Sequence, residues 1–308
     1  MRSIVIGSAF LELVPNMRGG LDEVSLRAYP GGSATNIAVA MAKFGIDVSL
    51  LTKVGEDEVG DFILRFLRDR GVDVRRVEKI EGYRTGLGFY LYMPRKRYYF
   101  YRFAGYSKPE ERISLEDFMG NVENYDVVSI TEAVVRVGDV GVRMAEEARR
   151  RGVRVFYEPN FRRNLIRDVS RFRDRLKRLL NHVDIVFPNE EEVEVISGEK
   201  KVERGVKRIL ELGPEIVVVK RGKKGCVVHD GRKMEVVEGW RVKVGDDTGA
   251  GDVFHAAFTY SFLRWGEPCV AARFANAAAA LRIRGGAYME SIPSVEEVER
   301  FMEGCTSL

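Results

Sequence analysis

The stretch DDTGAGDVFHAAFTYSFL, residues 246–263, is the strongest single feature of the chain. A charged loop gives way to Gly249, Ala250 and Gly251, then to Asp252, and from there to an unbroken apolar helix pattern. A helix that opens this way directs unpaired backbone N–H groups outward, and glycines let an anion approach them closely. Asp252 then stands beside the anion site as a carboxylate able to take the proton of an attacking hydroxyl. Considered alone, the segment also reads as a glycine turn whose acidic residue complements the helix dipole.

Working outward, apolar strand-like runs alternate with amphipathic helical ones. The runs at 4–6, 48–51, 127–130, 153–157, 185–187, 216–219 and 226–228 are continuous and rich in β-branched residues. Helical spacing marks 34–44, 60–70, 139–151 and 171–181. This alternation predicts an α/β fold with a doubly wound, mainly parallel sheet covered on both faces. Two segments break the rhythm. Residues 8–30 hold no helix pattern, and 84–104 alternate, are dense in aromatics and carry a charged turn, which reads as a β-hairpin. Together they predict a small accessory sheet over an active site or a second subunit.

Bulk properties exclude more than they assign. With 308 residues and 45% hydrophobic content the chain can bury a large core. Fifty basic residues against 46 acidic ones leave a net charge of +4, which points to no particular partner. Cys226, Cys269 and Cys305 lie far apart, as do the three histidines, so neither a disulfide framework nor a zinc site is expected and a reducing cytoplasm is the default. The apolar run near the N-terminus is interrupted by Gly7 and Glu12 and reads as a buried first strand; no run is long enough to span a membrane. The arginine-rich run from Arg162 reads as a solvated helix face with Leu165, Phe172, Leu176 and Leu179 or Leu180 turned inward, and not as a nucleic-acid site.

Two further clusters narrow the reading. Pro30, Gly31, Gly32, Ser33, Ala34, Thr35 and Asn36 precede a helix: the glycines allow close backbone approach, and Asn36 offers both donor and acceptor to a polyol. VGEDEVG at 54–60 leads into a second helix. With these three segments in order, the chain resembles the PfkB/ribokinase carbohydrate kinases over nearly its whole length. The resemblance implies one ribokinase-like kinase domain over 1–308, with a β-sheet lid formed by about 8–30 and 84–104. It implies Asp252 as catalytic base, Gly249, Ala250 and Gly251 as anion hole, and ATP with Mg²⁺ as cofactors. Asn189 and Glu192 match the NxxE motif that supports magnesium and phosphate. Lys220, Gly222 and Gly225 resemble the nucleotide loop, Asn276 a position at the adenine pocket, and Gly32 and Asn36 the sugar-contacting pair.

Glu12 stands where many relatives place an Asp against substrate hydroxyls. Asp247 replaces the usual Thr, Ser or Pro, a departure at the loop that binds a monovalent cation in some members, so such a cation is an optional cofactor here. Glu158, Pro159, Asn160, Phe161 and Arg162 resemble the D-x-N-x-R segment of fructokinases and 2-keto-3-deoxygluconate kinases, with Glu for Asp. Tyr90 and the pair Tyr101–Arg102 resemble substrate positions of the latter enzymes, although Phe100 and Gly286 depart from their pattern. Arg102 and Arg162 on one pocket would suit a carboxylate or phosphate. The acceptor order is a 2-keto-3-deoxy sugar acid, then a ketohexose, then a nucleoside, and the aromatic lid edge suits a homodimer. From other classes, a non-catalytic sugar- or nucleotide-binding protein stays open. A dinucleotide oxidoreductase would need G-x-G-x-x-G after the first strand, which 7–12 do not supply.

One compositional feature carries its own prediction. Charged residues make up 31% of the chain and glutamine is absent, the balance favoured in proteins of hyperthermophiles. A thermal melt should therefore give a midpoint well above the mesophile range of roughly 45–65 °C; a midpoint inside that range contradicts this reading.

Overall fold

The computed structural model describes residues 1–15, 25–92, 96–101, 108–161, 166, 168–285 and 289–304. The chain begins with β1 (Arg2–Ile6), β2 (Phe10–Pro15), β3 (Leu26–Gly31), α1 (Ser33–Lys43), β4 (Asp47–Gly55) and α2 (Glu58–Arg68). There follow β5 (Val77–Ile80), β6 (Leu87–Tyr92), β7 (Lys96–Tyr101), α3 (Leu115–Phe118), β8 (Val127–Thr131), α4 (Glu132–Val137), α5 (Val140–Arg150) and β9 (Arg154–Glu158). The second half holds α6 (Val169–Leu180), β10 (Ile185–Val186), α7 (Glu190–Ser197), α8 (Val202–Leu210), β11 (Ile216–Lys220), β12 (Cys226–His229) and β13 (Met234–Val237). It closes with α9 (Ala250–Trp265), α10 (Pro268–Arg284) and α11 (Val295–Gly304).

The main sheet has nine strands in the order β13-β12-β11-β10-β9-β8-β1-β4-β5. Pairings from β5 through β11 are parallel. The last two are antiparallel, which the continuous apolar run at 226–228 did not foretell. The reason is local: the connection between β11 and β12 is five residues, enough for a hairpin and far too short for a parallel crossover.

Strand alternation divides the core between the two faces. Val5, Val127, Phe156 and Val218 join a cluster with α1, α9 and α10 side chains such as Met41, Phe258 and Phe274. Ile4, Ile6, Val128, Val155, Val217 and Val219 join the opposite cluster with Phe118, Met144, Phe172 and Val206. The inner strands are thus buried on both sides, which is why their sequences read as unbroken apolar runs, while the edge strands β5 and β13 are partly exposed. The helices are set by ordinary signals. Asp57 caps α2 by accepting from the Gly60 N–H at 2.8 Å, and Ile63, Leu64 and Leu67 form its buried stripe. In α6, Phe172, Leu176, Leu179 and Leu180 are buried, as the helical spacing predicts; Leu165 lies outside the described residues.

The two aperiodic segments build a separate four-stranded sheet, β3-β2-β6-β7. Here β6 and β7 pair as the expected hairpin, with Phe89 stacked on Tyr99, and β2 joins β6 in parallel. Among the described residues no helix is long and apolar enough to cross a membrane. In the chain β1 is followed in the main sheet by β4 on one side and β8 on the other, so the winding reverses between β1 and β8. Open α/β sheets place their ligand crevice beyond the carboxyl ends of the strands at such a reversal.

Candidate active site

A cleft of about 560 Å³ opens at that reversal. Its floor comes from the carboxyl ends of successive strands: Ser8 after β1, Thr131 of β8, Glu158 of β9, Asn189 after β10 and Lys220 of β11. One wall is the 247–252 segment at the start of α9, and the other carries Phe10 and Glu12 of β2 with Gly32, Ser33 and Asn36.

Asp252, on the first turn of α9, is buried. Its two oxygens are held separately by the first turn of α1: Ser33 Oγ donates to Oδ1 at 2.6 Å and Asn36 Nδ2 donates to Oδ2 at 2.7 Å. Burial pushes its carboxyl up to about 6 and the charge of Glu158 adds to the rise, while the two donors and Lys220 pull the other way. Gly249, Ala250 and Gly251 line the cleft beside it. Gly249 enters the helix with φ 74°, a conformation that strains any side chain, and Gly251 leaves the helix start bare toward Lys220, whose Nζ would lie 3.4 Å from a Cβ there.

Behind Asp252 lies a buried group of mixed charge. Lys220 Nζ donates to Glu158 Oε1, and Glu158 Oε2 lies 3.4 Å from His255 Nδ1. His255 Nε2 pairs with Ser129 Oγ at 3.0 Å. Burial first, and then Lys220, push the imidazole down to about 3, so it is neutral at physiological pH. Burial raises the Glu158 carboxyl while Lys220 opposes the rise. His255 is therefore a core histidine with a hydrogen bond to Ser129.

The remaining expected residues divide. Glu12 is buried in β2 and closes over Gly31, where a Cβ would come within 2.8 Å of its Oε2. Gly32 has φ 105°, and a Cβ there would run into the Ser8 carbonyl, so the chain turns tightly into α1 only with glycine. Asn189 and Glu192 form the capping box of α7; Glu192 Oε1 also accepts from the Phe161 N–H at 3.2 Å, and burial lifts its carboxyl to about 7. Gly222 lines the cleft. Gly225 does not: it packs against the 237–239 backbone with φ 80°. Asn276 also stays off the cleft wall, donating to the carbonyls of Val237 at 3.1 Å and Glu238 at 3.2 Å. Tyr90 belongs to β6, but its side chain, together with Arg102, Arg162 and Gly286, lies outside the described residues.

Sequence reasoning left out Ser33, Glu158 as a partner of Lys220, and the pair Arg136 and Glu132 (Nε to Oε1, 2.8 Å) on the cleft wall. The signal for Ser33 was present, since it sits inside the Gly31–Asn36 motif. Nothing in the spacing of Glu132 and Arg136 separates them from any exposed helical ion pair.

Comparison with known proteins settles the class. The pfkB family carbohydrate kinase model matches residues 2–294. The chain belongs to this family. It is an enzyme, a carbohydrate kinase that transfers phosphate to an alcohol group. The kinase is 28% identical over 97% of its length to a 2-dehydro-3-deoxygluconokinase of Thermoproteus tenax, covering 94% of that protein. It is also 28% identical to a fructokinase-1 of Oryza sativa subsp. japonica, with 97% of each chain covered. Among solved structures, fructokinase with bound ATP from Xylella fastidiosa superposes with a TM-score of 0.89 over 99% of both chains at 20% identity, a likeness of fold.

The raised Asp252 carboxyl has a measurable cost to the fold. Its folded value of about 6 lies above the ordinary 3.8, so the native state binds the extra proton between those values. Its contribution to stability is therefore fully present below about pH 4 and is lost as pH rises through about 6. Asp252→Asn should melt progressively higher than the parent as pH increases across that window. A difference in melting temperature that is constant with pH contradicts the assignment.

Proposed function

We propose that the kinase transfers the γ-phosphoryl group of ATP, bound with Mg²⁺, to a hydroxyl of a small sugar or sugar acid, with Asp252 as the base. The observation that carries this is the buried carboxylate fixed by Ser33 and Asn36 at the bare N-terminus of α9. A carboxyl titrating near 6 is ionised at neutral pH yet basic enough to accept a hydroxyl proton as the bond forms. Beside it, the helix N-terminus at residues 249–251 serves as the anion hole that offsets charge on the moving phosphoryl group. Glu12, Gly32 and Asn36 face the acceptor, and the family resemblance assigns Tyr90, Arg102 and Arg162 to binding it; Lys220 and Gly222 face the nucleotide phosphates, with Gly225 and Asn276 shaping the loop and pocket behind them.

The residues fit a nucleotide-borne magnesium. Among the described residues no cluster of three or more His, Cys, Asp or Glu side chains forms a protein cage. At the cleft wall Glu192 is a buried carboxylate beside Asn189, a placement suited to a Mg²⁺ that keeps its waters and is held largely by substrate phosphates. When bound, the ion neutralises phosphate charge; Asn189 and Glu192 would hold its hydration shell. The four-stranded sheet covers the acceptor side and excludes water from the reacting phosphate. Its aromatic edge also suits a homodimer, and the cytoplasm suits the supply of ATP.

For the acceptor we favour 2-keto-3-deoxygluconate, supported by the likeness to 2-dehydro-3-deoxygluconokinases. A ketohexose is the second reading, supported by equal identity to a fructokinase. An ADP-release assay with MgATP against the sugar acid, fructose, ribose and adenosine separates them: fastest turnover on the sugar acid is expected, and fastest turnover on fructose or a nucleoside overturns the acceptor. Asp252→Asn should fold and lose at least about a hundredfold in kcat. Full turnover by that variant contradicts the base assignment.

A further inference from the structure

Arg282, on the last turn of α10, is the largest fully buried side chain among the described residues, at 1% exposure. A buried guanidinium is costly unless its donors and charge are met. Here they are met by the loop that leads into α9. Nη2 donates to the Thr248 carbonyl at 2.8 Å, Nη1 reaches the Asp246 carbonyl at 3.5 Å, and the Asp246 carboxylate lies 3.7 Å from Nη2. The same loop is tied to the end of α10 through its backbone, where the Gly245 and Asp246 N–H groups donate to the Ile283 carbonyl at 2.7 and 3.3 Å. Asp246 Oδ1 then holds the Thr248 N–H at 3.0 Å and its hydroxyl at 2.8 Å.

The electrostatics of this place call for a cation. Two loop carbonyls and one carboxylate converge beside the carbonyl end of a long helix, whose dipole is negative there. Thr248 is immediately followed by Gly249 with its positive φ, so whatever fixes the Thr248 carbonyl fixes the entry of the chain into residues 249–251. In some relatives a monovalent cation serves this loop. Such an ion does not fit here: the guanidinium already brings a full positive charge to the carbonyls of Thr248 and Asp246, and a second cation in the same buried space would be repelled.

We propose that Arg282 is a built-in, permanently charged substitute for a monovalent cation, positioning the anion-hole turn so that the kinase needs no added potassium or sodium. A planar guanidinium suits the task because its several donors reach separate acceptors at fixed angles and it never loses its charge. Arg282 is a positioning residue: it acts on the reaction only through residues 246–249. The inference rests on the reading of residues 249–251 as the anion hole.

The test compares the parent enzyme in KCl, NaCl and choline chloride at matched ionic strength, reading both turnover and melting temperature. Neither should depend on which cation is present; activation by potassium, or a potassium-specific rise in melting temperature, overturns the proposal. Arg282→Ala should keep its acceptor KM and lose kcat on the order of 10²-fold, with recovery by millimolar guanidinium or by potassium. Unchanged kcat, or a folded variant that neither ion restores, overturns it. Should the alanine variant not fold, Arg282→Lys is compared with Arg282→Met: the lysine variant should keep more turnover and melt higher, and equal losses overturn the role of charge. The melting arm needs no acceptor, so a failure of the kinase reading would show separately, as absent turnover in the parent enzyme.

Discussion

Burying the Asp252 carboxylate at the start of α9 requires that two distant parts of the chain meet. Ser33 and Asn36 belong to a motif more than two hundred residues upstream, and their short hydrogen bonds to Oδ1 and Oδ2 are possible only if the first turn of α1 abuts the first turn of α9. The positive φ at Gly32 and the tight passage beside the Ser8 carbonyl set the entry of α1; the left-handed Gly249 sets the entry of α9. The apolar surfaces of both helices, with Ala34, Ile37, Val253 and Phe258 in one core cluster, supply the burial that holds the two N-termini together. The site follows from packing as much as from motif.

The electrostatic arrangement behind Asp252 is consistent with that role. Two buried acids, Asp252 and Glu158, would repel each other, and Lys220 lies against Glu158 to offset the repulsion. His255, deeper still, contributes no charge. The result is a carboxylate that remains ionised at neutral pH while titrating well above an ordinary aspartate. On the far side of the same turn, Arg282 fixes the loop carbonyls from within the core. The α9 N-terminus is thus constrained by α1 in front and by α10 behind.

Much of this was legible in the sequence because the responsible signals are local. The run at 246–252 and the 31–36 segment place glycines where the backbone must turn sharply, and the continuous apolar strands report burial on both faces. What escaped was pairwise and long-range. The antiparallel edge formed by β12 and β13 depended on the length of a connection rather than on strand composition. Lys220 looked like a nucleotide contact, and only the meeting of β9 and β11 across β10 shows its bond to Glu158. Arg282, in a run of alanines and arginines, gave no sign of burial, since an arginine in the last turn of a helix is ordinarily solvated. The contacts of Asn276 and Gly225 with the 237–239 backbone were likewise invisible in the sequence.

The central claim is that Asp252 is a buried, ionisable carboxylate tuned by its surroundings, and its titration can be observed without any substrate. Carboxyl-stretch infrared difference spectra of the parent enzyme against Asp252→Asn, collected across pH 3–9, isolate that one group. The account predicts a protonated carboxyl band that disappears with a midpoint of about 6. A midpoint in the ordinary aspartate range near 4 would contradict it.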